Sequence, residues 1–273
     1  MKRRLTIISL LCTLIAALSV AAASDFGPPV GSRLSAVGVP LGPKGAAILL
    51  SPAGARARLS ELDQHRAAFQ KLGVGVGALD KFAGRTPSPG WFVLDAKGVI
   101  VAKYFDDDPS QCLTSAALLI HQFGWTPPEP AVAVEGKQLS ASLRASNSNP
   151  APGQRVALML DVDLEPNMHV YAPGVEGYIP IDWKMQDSDT AQVHAPVFPR
   201  AEKLYLKAID ETVPAYRNHF RLVRDITIKP AAEGAGRFTV DGSLRYQACD
   251  DRVCYIPQTL RLQWTFEYQA LAK

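Results

Sequence analysis

The spacing of hydrophobic and polar positions changes near the middle of this chain. In the first half, Leu59, Leu62, Phe69 and Leu72 recur at helical intervals, and Gly73 ends the run. The apolar stretch Ala46–Leu50 ahead of that helix reads as a buried strand, and residues 74–79 behind it read as the next. Residues 91–94 and 99–105 flank Asp95-Ala96-Lys97-Gly98, which predicts a hairpin. Leu113, Ala116, Ala117 and Ile120 then predict a last amphipathic helix over 110–122, closed by Gly124. This half is mixed α/β.

The segment GWTPPEPAVAVEG (124–136) divides the chain. Pro127, Pro128 and Pro130 disfavour helix and extend the backbone, as an interdomain linker or the lead into a first strand requires. Beyond it, helical signals nearly vanish. Val156, Leu158, Leu160, Val162 and Leu164 alternate with Ala157, Met159, Asp161 and Asp163, the pattern of a half-buried strand. Leu260, Leu262, Trp264, Phe266 and Tyr268 repeat it. Turn-rich pieces such as Asn147-Ser148-Asn149-Pro150 separate such runs, so this half is expected to be an all-β sandwich.

At the N-terminus, Lys2, Arg3 and Arg4 precede an apolar run from Leu5 to Val20, and Ala21-Ala22-Ala23 follows. The arrangement is that of a secretory leader, residues 1–23, cleaved near Ala23/Ser24. An uncleaved anchor is the rival, because the run is nearly long enough to span a bilayer. Without the three leader cations, the 29 Lys and Arg fall to 26, equal to the 26 Asp and Glu. The basic balance therefore belongs to the leader, and no basic footprint for nucleic acid is expected. No second apolar run reaches membrane-spanning length, so no membrane span is expected after cleavage.

Export gives the cysteines meaning, because disulfides persist in oxidising compartments. Cys112, Cys249 and Cys254 remain after cleavage. Cys112 falls in the predicted last helix of the first half and reads as a buried small hydrophobe. Cys249 and Cys254 lie in YQACDDRVCYIP (246–257), across the turn of a hairpin expected to pair 244–249 with 254–266. Facing residues of such a pair are close enough at Cα for a disulfide. In the chain-entropy model so small a ring stabilises a fold by only about 2 kcal/mol, little for a structural staple. Asp250 and Asp251 disfavour a neighbouring thiolate and Arg252 favours it, and no helix N-terminus acidifies the pair.

Other candidates carry less. Gly73, Gly75 and Gly77 follow a helix and enter a strand, the reverse of a dinucleotide-binding order. His169, His194 and His219 are too far apart for a local metal pair and are expected at turns or in solvent. Neither a metal nor another cofactor is implied.

YQACDDRVCYIP, NMHVYAPG (167–174), PIDWKM (180–185) and the stretch 198–220 together resemble the periplasmic N-terminal domain of the thiol:disulfide interchange protein DsbD, over roughly 131–268. The resemblance implies an immunoglobulin-like redox module whose two cysteines alternate between dithiol and disulfide. It implies that Cys254 forms the mixed disulfide and Cys249 resolves it. It also implies a cap over the pair, for which Leu204 and Tyr205 are the match. Tyr171 and Tyr255 are further candidates for shielding the sulfurs. The implied partners are periplasmic thioredoxin-like proteins and a separate membrane thiol reductant.

LSELDQHRAAFQKLGVGVGALD (59–80) and SPGWFVLDAKGVIVAKYF (88–105) resemble the redoxin branch of the thioredoxin-like fold, with Pro89 where that fold carries a cis-proline. Pro52 and Ala55 stand where its C-x-x-C would lie, so residues 24–125 are expected to be a degenerate thioredoxin-like domain without thiol chemistry. The expected whole is two domains: this α/β unit, a linker over 126–136, and an immunoglobulin-like sandwich over 137–273. The competing functional reading is a non-enzymatic periplasmic adaptor in which the disulfide is structural.

Overall fold

The computed structural model describes residues 26–34, 38–51, 56–105, 113–128, 130–206, 210–230 and 236–268. The leader, Pro52, Ala55 and Cys112 lie outside the described residues.

In the first half, strands β1 (Ala46–Leu50), β2 (Gly75–Leu79), β3 (Gly90–Leu94) and β4 (Ile100–Phe105) form a sheet of order β2-β1-β3-β4. Helix α1 (Arg56–Lys71) connects the parallel pair β1 and β2, and the remaining pairs are antiparallel. Helix α2 (Ser115–Phe123) follows the hairpin. Sequence chemistry sets its ends: the Thr114 hydroxyl accepts from the Ala117 N–H, and Gly124 closes the helix at φ 66°. Asp95 organises the β3–β4 turn by accepting from the Lys97 and Val99 N–H groups. The glycines after α1 are packing devices. A side chain at Gly75 would place its Cβ 1.7 Å from the Pro40 carbonyl oxygen. Pro89 follows a trans peptide bond, since the described residues hold no cis bond.

Both helices cover one face of this sheet, where Leu62 and Phe69 of α1 meet Leu49, Trp91 and Leu119. The core does not end there. Ala157, Met159 and Val223 of the second half pack into the same cluster, so α2 lies between the two halves and is buried from both sides.

The second half contains β5 (Val132–Glu135), β6 (Leu139–Ala145), β7 (Arg155–Leu164), β8 (His169–Tyr171), β9 (Asp182–Met185), β10 (Ala191–Val197), β11 (Glu202–Leu206), β12 (Glu211–Arg217), β13 (His219–Ile228), β14 (Arg237–Tyr246), β15 (Ala248–Cys249) and β16 (Gln258–Glu267). A five-stranded antiparallel sheet, β10-β13-β7-β6-β5, packs against the three-stranded β16-β14-β9 to make a sandwich. Stacked Trp183 and Trp264, with ring centroids 5.7 Å apart, lie in its core. A third sheet, β11-β12-β8-β15, presents Val170, Tyr216 and Ala248 to that core. Its other face carries Tyr171, Val213 and Cys249.

One expectation changes here. β7 is buried on both faces, not one. Val156, Leu158, Leu160 and Val162 fill the sandwich, while Ala157 and Met159, small or unbranched, receive α2. The junction at Trp125 and Thr126 is tied to the second half. Arg221, paired with Asp161 at 2.6 Å, donates to the Trp125 carbonyl and the Thr126 hydroxyl, and β5 joins the sheet edge.

Candidate functional site

β14 and β16 run side by side from Arg237↔Glu267 to Tyr246↔Gln258. The Tyr246 hydroxyl donates to the Lys137 carbonyl, fixing the point where the strand ends. There the chain leaves this sheet, and β15 pairs with β8 instead. The cysteines therefore stand beyond the long hairpin and not within its arms. The expected alternation also breaks: Ala248 and Cys249 are both buried, because each side of the third sheet at this point meets its own apolar cluster.

Cys249 and Cys254 face each other across a small antiparallel ladder of their own and are joined by a disulfide. Asp250 N–H donates to the Val253 carbonyl and Tyr255 N–H to the Ala248 carbonyl, one bond on either side of the pair. The cysteines thus occupy the non-hydrogen-bonded position, where strands approach most closely. Their Cα atoms are 4.0 Å apart.

The turn between them is made by Asp250. Its Oδ1 accepts from the Arg252 and Val253 N–H groups, and its Oδ2 accepts from the Tyr255 hydroxyl. The backbone donors of Val253 and Arg252 hold this carboxyl below its ordinary range. Asp250 is therefore a turn-former whose charge is already satisfied, while Asp251 and Arg252 remain exposed.

The two sulfurs differ in access. Cys249 is 1% exposed, packed with Tyr171 and Val213, whereas Cys254 is an exposed residue. Cys254 opens onto a groove of about 600 Å³ lined by Tyr171, Tyr178, Tyr205, Leu206, His169 and the turn 250–253. The Tyr171 hydroxyl lies 3.7 Å from Cys254 Sγ. Burial, and after it the charge of Glu211, raises the Tyr171 pKa, so the phenol keeps its proton. Tyr178 packs on Tyr171 at a centroid distance of 4.4 Å and donates to Glu211.

The structure brings most of the sequence-derived residues together. Tyr205 is exposed on β11, lines the groove, and donates to Asp210. Leu204 packs instead against the cluster of Tyr171, Val213 and Cys249. Tyr255 does not line the groove, because its hydroxyl is turned to Asp250. The histidines divide. His219 is exposed beside Asp163, and His194 is half-buried against Thr227. His169 overturns the solvent or turn expectation: it is 2% exposed on β8, directly across the ladder from Cys249. Only the β8–β15 register shows which residue His169 meets. Tyr178 is one of several aromatics in this half, and its place in the groove depends on the loop after β8.

Among the described residues, no helix is long and apolar enough to cross a membrane. No curated protein matches the chain. Among solved structures, the N-terminal periplasmic domain of ScsB from Proteus mirabilis is 18% identical over 48% of this chain and 49% of that one, with a TM-score of 0.33. The chain thus spans about half the length of that domain. The reduced N-terminal domain of Neisseria meningitidis DsbD is 17% identical over 49% of this chain and 92% of that one, with a TM-score of 0.32. Residues 137–264, just under half of the chain, match the family model "Thiol:disulfide interchange protein DsbD, N-terminal".

Proposed function

We propose that this protein is a thiol:disulfide exchange module that relays electrons through Cys249 and Cys254. The observation that carries the reading is the asymmetry of the pair: Cys254 is open to a groove, and Cys249 is closed off. Exchange proceeds by in-line attack of a thiolate on one sulfur, and access selects which. A partner thiolate attacks Cys254 Sγ, forming the mixed disulfide, and Cys249 leaves as the reduced thiol. In the reverse direction Cys249 attacks Cys254 and releases the partner. The family match of residues 137–264 supports the coarser reading, that the domain belongs with thiol:disulfide exchange proteins.

The partners in this reading are periplasmic thioredoxin-like proteins on one side and a membrane thiol reductant on the other. Leu204 and Tyr205 on β11 act as the cap, with Tyr205 over the groove and Leu204 anchoring the strand beneath it. Asp251 and Arg252 set the local field. The first half, with its β1-α1-β2 parallel unit, hairpin and final helix, is read as a degenerate thioredoxin-like domain without exchange chemistry of its own. It serves docking or spacing.

Trapping tests the relay. In cells, Cys249→Ala should accumulate mixed disulfides through Cys254, and Cys254→Ala should not. If neither variant traps a thioredoxin-like protein and the pair stays oxidised, the disulfide is structural and the protein is an adaptor.

A further inference from the structure

Resting on the exchange reading, we propose that His169 is the proton-transfer residue for Cys249, taking its proton when the pair closes and returning it when the pair opens. The problem it solves is burial. At 1% exposure Cys249 has no direct contact with bulk water, and an apolar site disfavours a thiolate. Each turn of the relay nevertheless moves a proton on or off that sulfur.

The groups near Cys249 leave one suitable acceptor. Asp250 spends its carboxylate on two backbone N–H groups and the Tyr255 hydroxyl. Asp251 and Arg252 point to solvent from the turn. Tyr171 keeps its proton and lies at Cys254. His169 is the register partner of Cys249 in the β8–β15 ladder, and side chains of such a pair share a face with Cβ atoms about 5 Å apart. Its Nε2 is buried without a hydrogen-bond partner. The same residue lines the groove onto which Cys254 opens, which gives the proton a route to water.

The charged groups around the ring leave it neutral. Burial is the leading cause and lowers its pKa, Arg217 on β12 acts in the same direction, and Asp251 and Asp250 oppose them. Arg217 is itself tied to Glu202 at 2.8 Å. A neutral imidazole accepts a proton at neutral pH.

The closing step balances as follows. The Cys249 S–H proton passes to the imidazole, the sulfur attacks Cys254 Sγ, and the new S–S bond expels the partner sulfur with the bonding electron pair. The partner thiolate takes up a proton from water, and the imidazolium returns its own to the groove. The partner disulfide is the oxidant, gaining the two electrons that the cysteine pair loses.

An aromatic disulfide, dithiobis(nitrobenzoate), separates the two steps on the reduced full-length protein. Attack by Cys254 releases one coloured thiolate, and resolution by Cys249 releases the second. His169→Gln should slow the second release about 100-fold, the lower end for a positioned base, and slow it far more than the first. In the wild type the second phase should flatten above the His169 pKa, and in the variant it should rise with hydroxide. Added imidazole should restore the second phase in His169→Gly, which keeps the inference testable if packing changes. Equal second-phase rates and pH profiles in wild type and His169→Gln, with the fold retained by circular dichroism, overturn it. Failure of the wild type to release a second thiolate counts instead against exchange by the pair.

Discussion

The Tyr171 hydroxyl stands 3.7 Å from Cys254 Sγ and keeps its proton, so the sulfur open to the groove has an O–H donor beside it. A donor there favours the thiolate over the thiol. Tyr171→Phe should raise the Cys254 pKa and slow its attack about fivefold, the equivalent of roughly 1 kcal/mol for a typical hydrogen bond. The pH dependence of iodoacetamide alkylation in a Cys249→Ala background measures it. Identical profiles with Tyr171 and Phe would mean that the contact does not act on the sulfur.

Unequal access makes a second expectation. In the reduced protein, Cys254 should be alkylated at least about tenfold faster than Cys249, because the thiolate must be both formed and reached. Peptide mass spectrometry after a short pulse separates the two sites. Reduction itself should cost the fold little, since a ring this small stabilises by only about 2 kcal/mol. Similar labelling rates at the two cysteines would remove the basis for assigning Cys254 as the attacked sulfur.

The elements with strong local signals were legible. Gly124 closes α2, and Asp95 and Gly98 mark the β3–β4 turn, because caps and turns are short-range chemistry; the start of α2, capped by Thr114, lies inside the span expected to be helical. The cysteine pair was legible for the same reason. What lay beyond reach depends on long-range register. Nothing near His169 in sequence announces Cys249, 80 positions away, as its ladder partner. The change of sheet at Gln247 was hidden too, since an alternating run continues on paper where the chain has moved to new neighbours. Likewise Ala157 and Met159 look like the weaker face of a half-buried strand until α2 is placed on them.

Arg221 joins the halves through one side chain. Its guanidinium pairs with Asp161 and donates to the Trp125 carbonyl and Thr126 hydroxyl, where the first half passes into the second. Arg221→Ala leaves Asp161, largely buried, without that partner, and should destabilise the protein by about 1–3 kcal/mol. Limited proteolysis should then cut within 124–131 earlier than in the wild type. Unchanged proteolysis would show that α2 packing alone holds the junction.

Two groups at this seam titrate with opposite sign. Burial, assisted by Arg221, lowers His121 to about 4, so between pH 6.5 and 4 the unfolded chain binds the proton that the fold refuses. Stability therefore falls on acidification through that window. Burial raises Asp225 to about 6 despite Arg155, so from pH 6 to 4 the fold holds a proton that the unfolded chain has released. Its contribution therefore rises on acidification. Each effect is on the order of 1 kcal/mol or more, and they partly cancel in the wild type. His121→Gln should weaken the acid loss of stability, and Asp225→Asn should steepen it. Urea midpoints at pH 4.5, 5.5, 6.5 and 7.5 distinguish the variants, and parallel curves for all three proteins would mean that neither group controls the seam.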